Sequence, residues 1–99
     1  MEHPDRWAVI TVTLPSGEVD KRVLCGWIGG YLDSDYWRLG SNIVTEEETL
    51  MEYLFTTQSG NKYLCRKAAY GFNGLSASIY RDMQAQANYK VEIDESYSV

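Results

Sequence analysis

Between Trp7 and Leu14 the side chains alternate, with Ala8, Ile10, Val12 and Leu14 on one side and Trp7, Val9, Thr11 and Thr13 on the other. A period of two carried by β-branched residues predicts a strand. Pro15-Ser16-Gly17-Glu18 then supplies a restricted φ and a permissive glycine, after which Val19, Lys21, Val23, Cys25 and Trp27 again share one side. Two alternating runs joined by such a turn predict a β-hairpin. The pattern stops at Gly26-Trp27-Ile28-Gly29-Gly30, where paired glycines permit a tight or bulged turn. Tyr31 to Trp37 follows as a loop that mixes aromatics with carboxylates, and Gly40-Ser41-Asn42 precedes a short strand at Ile43-Val44-Thr45.

The stretch from Thr45 to Thr57 fits two patterns. Thr45 with Glu48 makes a capping box, and Leu50, Met51 and Leu54 share a helical face. At period two, Met51, Tyr53, Phe55 and Thr57 lie together instead, and Tyr-Leu-Phe-Thr-Thr has high β-propensity. The strand is favoured, because it runs into the hairpin signal Gln58-Ser59-Gly60-Asn61 and on to Lys62–Arg66. After Tyr70–Gly74 the period changes. Leu75, Ile79 and Met83 recur every four residues, Asn73 or Ser76 can cap the start, and alanines raise helix propensity, so one helix is expected over Leu75–Ala87. Tyr89, Val91 and Ile93 alternate in a final strand.

This order predicts one α+β, mainly β domain over residues 1–99, with residues 1–6 and 95–99 frayed. Its antiparallel sheet is expected to be strongly curved or barrel-like, of SH3-like or OB-like type, with one C-terminal helix followed by a last strand. A composition of 44% hydrophobic and 13% aromatic residues is sufficient for a folded core. No apolar run approaches the ~20 residues that span a bilayer, so no membrane partner and a cytoplasmic location are expected. Cys25 and Cys65, far apart in apolar stretches, are expected as buried, reduced thiols.

Catalytic chemistry finds little to use. The one histidine, His3, sits in the N-terminal segment, so neither a nucleophile–imidazole pair nor a zinc set is expected. Asp33-Ser34-Asp35 resembles the start of a calcium loop, but Arg38 and Val44 stand where the loop needs glycine and glutamate. Asp35 with one of Glu46, Glu47 or Glu48 makes a carboxylate pair only on paper, and solvated acids explain these residues as well. Neither a GxGxxG nor a GK[ST] loop is present. Catalytic residues, metal and cofactor are therefore all expected to be none.

A net charge of −5, with acids grouped at Asp33/Asp35, Glu46–Glu48 and Asp94/Glu95, disfavours nucleic acid and suits a basic protein surface. Tyr31, Tyr36 and Trp37, beside Asp33 and Asp35, supply residue types that anchor protein interfaces, though Trp27 and Trp37 also suit the lid of a small sheet. The expected function is a non-catalytic protein-binding module, an acidic accessory or inhibitory protein of the phage or mobile-element type (anti-CRISPR-like), contacting its partner through Tyr31, Asp33, Asp35, Tyr36 and Trp37. Two alternatives stand beside it. One is a small-ligand or nucleic-acid-binding barrel using Tyr63, Arg66 and Lys67, and the other is a small structural or assembly protein.

Overall fold

The computed structural model describes residues 1–29, 34–86 and 88–98. Alternation in the first third of the chain yields β1 (Arg6–Thr13) and β2 (Val19–Trp27), paired antiparallel from Thr13 opposite Val19 to Arg6 opposite Gly26. Gly17 closes the turn at φ 91°, a conformation costly for any residue with a Cβ. Further along come β3 (Tyr36–Leu39), β4 (Ile43–Glu48), β5 (Glu52–Thr57), β6 (Lys62–Arg66), the helix α1 (Gly74–Gln84) and β7 (Lys90–Ile93). They form two antiparallel sheets, one ordered β3-β2-β1-β7 and the other β4-β5-β6. The sheets are not closed on one another, so the barrel-like closure expected from the sequence is not seen.

The core lies between the sheets. Trp7, Val9, Val23, Cys25 and Trp27 from the first sheet meet Phe55, Tyr63 and Cys65 from the second, with Ala69 and Tyr97 completing the cluster. Trp7 sits edge-on to Tyr70 at 5.0 Å, and its indole N–H donates to the Arg66 carbonyl at 2.7 Å, so the largest core residue leaves no orphan donor. The opposite face of β1 and β2 is also buried, at Ala8, Ile10 and Leu24, because α1 packs across β2, β3 and β7. This explains why both sides of β1 are apolar. Cys25 and Cys65 are free and buried, and burial holds both thiols well above their ordinary range.

The ambiguous Thr45–Thr57 stretch is a hairpin of β4 and β5. The capping box between Thr45 and Glu48 does not form; Thr49 instead closes the turn, its N–H donating to the Glu52 carbonyl at 2.8 Å and its hydroxyl accepting from the Glu52 N–H. Strand pairing wins because it places Phe55 and Tyr63 opposite each other on the core face. Helix α1 starts where the sequence indicated. The Asn73 side chain accepts from the Ser76 N–H at 2.7 Å while the Ser76 hydroxyl accepts from the Asn73 N–H at 3.0 Å. The helix ends at Gln84, earlier than the expected Ala87, which lies outside the described residues.

The segments expected to fray make contacts. Glu2 pairs with β6 through bonds to Lys62 and Leu64, Pro4 is buried, and Tyr97 is 5% exposed within the core. Among the described residues, no helix is long and apolar enough to cross a membrane.

Candidate interaction surface

Two of the five residues expected to form a binding loop, Tyr36 and Trp37, belong to β3, the short edge strand beside β2. Asp35 immediately precedes it, while Tyr31 and Asp33 lie outside the described residues. Register sets the directions of the aromatics. Tyr36 stands opposite Trp27 and Trp37 opposite Gly26, so the two neighbours project from opposite faces of the edge.

Trp27 divides the two meanings of the aromatic cluster. It is core, 9% exposed, and its indole N–H donates to the His3 carbonyl at 3.0 Å. Tyr36 stacks on it with ring centroids 4.8 Å apart and planes 6° from parallel, and remains 47% exposed. Trp37 is 41% exposed, so neither residue is a closed lid. Rigid support beneath an exposed ring reduces the entropy lost when a partner covers it.

The turn leading out of β2 adds a residue that the sequence pattern did not single out. Ile28 is 57% exposed, and its N–H donates to the Asp5 carboxylate at 2.8 Å. Gly29, at φ 65°, donates its N–H to the Asp35 carboxylate at 3.0 Å. Asp35 therefore holds the turn as well as supplying charge. Ile28 had no distinguishing signal, because an isoleucine at the end of an apolar strand looks the same buried or bare. On the same edge, Arg38 pairs with Glu2 at 2.9 Å.

Several of the remaining acids are engaged by neighbours. Glu48 pairs with Lys67, and Glu46 accepts from the Tyr97 hydroxyl. Asp94 is partly buried, which opposes its ionisation. Its bonds from the Ser96 hydroxyl and N–H, with Lys21 nearby at 3.6 Å, outweigh that and hold the carboxyl below its ordinary range. Burial, reinforced by Glu46, drives the Tyr97 phenol upward. His3 is exposed, and among the described residues no group of three or more His, Cys, Asp or Glu converges on a metal position.

Behind β3 an open cleft of about 250 Å³ is lined mainly by apolar side chains, including Val12, Leu14, Leu39, Met83 and Val91. Its one cation, Arg22, is engaged by Asp20 at 2.9 Å. Of the residues expected for a ligand-binding barrel, Tyr63 is fully buried and Lys67 is engaged by Glu48.

The fold and this surface define a small α+β domain, mainly β, with two antiparallel sheets and one α-helix among the described residues. Comparison of the chain with known protein families, with curated proteins and with solved structures gives no match.

Proposed function

We propose that the protein is a non-catalytic protein-binding module that grips its partner along the β3 edge. One observation carries this: Tyr36 and Trp37 stand exposed on the two faces of the β3 edge, with Tyr36 stacked on Trp27, and Ile28 is exposed in the adjoining turn. Aromatic residues on a rigid base are the usual anchors of protein interfaces, and Asp5 and Asp35 border the patch with negative charge. A net charge of −5 supports a basic partner, such as a nucleic-acid-binding protein, and hence an accessory or inhibitory role of the phage or mobile-element type (anti-CRISPR-like).

Capture of basic proteins by the immobilised chain tests the reading. Ile28→Ser and Trp37→Ala should each raise the off-rate by an amount worth about 2 kcal/mol, with unchanged circular dichroism. Folded variants that bind as wild type does would place the contact elsewhere.

The apolar cleft supports a second reading, a small-ligand site in a curved, SH3-like or OB-like arrangement. It has weaker support, since the cleft is open and its arginine is already paired.

A further inference from the structure

The three-stranded sheet ends on β4, whose residues from Val44 to Glu48 are all exposed. The bond from the Thr49 N–H to the Glu52 carbonyl marks a hydrogen-bonded pair at the turn. Antiparallel pairs alternate, so Glu47 opposite Leu54 bonds to β5, whereas Glu46 opposite Phe55 and Glu48 opposite Tyr53 turn their N–H and C=O groups outward. Among the described residues, no group bonds to those outward amides. A bare edge of this kind is a template for another strand.

Charge decides which strand it accepts. A second copy meeting the edge antiparallel about its midpoint would set three glutamates against three, and like charges placed opposite each other destabilise a pair. Neutralisation from within is incomplete: Glu48 pairs with Lys67, but Glu47 has no ion pair among the described residues. At the end of the strand, Leu50 is 87% and Met51 65% exposed, an apolar seat beside the acidic edge.

We propose that β4 is a docking edge that accepts an extended lysine- or arginine-rich segment of another protein as an added strand. The incoming backbone bonds to the Glu46 and Glu48 amides, and its basic side chains lie beside Glu46, Glu47 and Glu48. The surface belongs to a different sheet from Tyr36 and Trp37, so this proposal and the proposed function can fail separately.

The probe is a short synthetic peptide of consecutive lysines, which presents a cation to each face of the edge, added to the full chain while backbone amide exchange is followed by NMR. Exchange at Glu46 and Glu48 should slow by about tenfold or more at saturating peptide. The effect should fall as salt rises, and Glu47→Lys should weaken it. The same peptide N-methylated throughout should give no slowing. Equal slowing by the N-methylated peptide would mean that charge alone holds it, and unchanged exchange would mean that the glutamates only keep the edge from pairing; either result overturns the proposal. Slowing confined to Ile28, Tyr36 and Trp37 overturns it too, while supporting the aromatic edge.

Discussion

A Cβ placed on Gly26 would lie 2.7 to 2.8 Å from the Asn73 carboxamide, closer than real atoms approach. Asn73 cannot yield easily, because it caps α1 through Ser76 and also donates to the Trp27 carbonyl. Gly26→Ala should therefore cost about 1 to 3 kcal/mol in urea unfolding, by overpacking and loss of the cap. Asn73→Ala alone should cost about 1 kcal/mol. The double variant should be less destabilised than the sum of the two, since removing the carboxamide also removes the clash. Cys25 and Cys65 are buried thiols, so both should react with a thiol reagent only after denaturation. Rapid reaction of either in the native protein would contradict their packing. Their burial was legible in the sequence from the apolar strands around them, whereas the Gly26–Asn73 contact joins residues too distant in sequence for any local pattern to reveal.

At the scale of elements, β4 and α1 give contrasting tests. Were Thr45–Leu54 a helix, Leu50 would lie on its buried face, but in the hairpin it is 87% exposed. Leu50→Ser should accordingly change stability by no more than about 0.5 kcal/mol. A larger loss would favour the helical alternative. Helix α1 carries Leu75, Ile79 and Met83 as half-buried residues, and Ser76 is its one buried side chain. Ile79→Ala should thus cost about 1 to 2 kcal/mol, below the ~2 to 5 kcal/mol of a fully buried isoleucine. The helix was legible because capping and a four-residue repeat are local signals. That it covers one sheet face incompletely, leaving the cleft near Met83, depends on how far the strands extend past its end.

Across the whole molecule, Tyr97 ties the chain's last described turn into the space between the sheets. Its ring packs edge-on to Tyr53 and Phe55, and its hydroxyl donates to Glu46 and accepts from Lys21. Thermal or urea melts should record a loss of about 3 to 5 kcal/mol for Tyr97→Ala and about 1 kcal/mol for Tyr97→Phe, which keeps the ring. The protein should also be sensitive to alkali. Burial raises the Cys25 and Cys65 thiols and the phenols of Tyr63, Tyr70, Tyr80 and Tyr97, the last helped by Glu46, so these groups ionise more readily in the unfolded chain. Stability should be level in this respect below the ordinary thiol range. It should then fall as pH rises through the ordinary thiol and phenol ranges towards the raised folded values, by about 1.4 kcal/mol per pH unit for each thiol. Tyrosinate absorbance rising together with loss of the far-ultraviolet signal would verify this; full ionisation before unfolding would refute it.

The order of residues by itself determined the first hairpin, the strand character of Tyr53–Thr57, the start of α1 and the last strand, because alternation, turn chemistry and capping act between near neighbours. It also placed Tyr36 and Trp37 among the candidate contacts through their residue types. Only the tertiary structure decided that the Glu46–Glu48 run is an edge strand, that Trp27 is a buried support while Tyr36 stays exposed, that Ile28 is bare and Tyr97 enclosed, and that the sheets remain open. Each of these outcomes depends on which distant segment covers a given face or edge, and that competition among long-range contacts is not written in the local spacing of any one element.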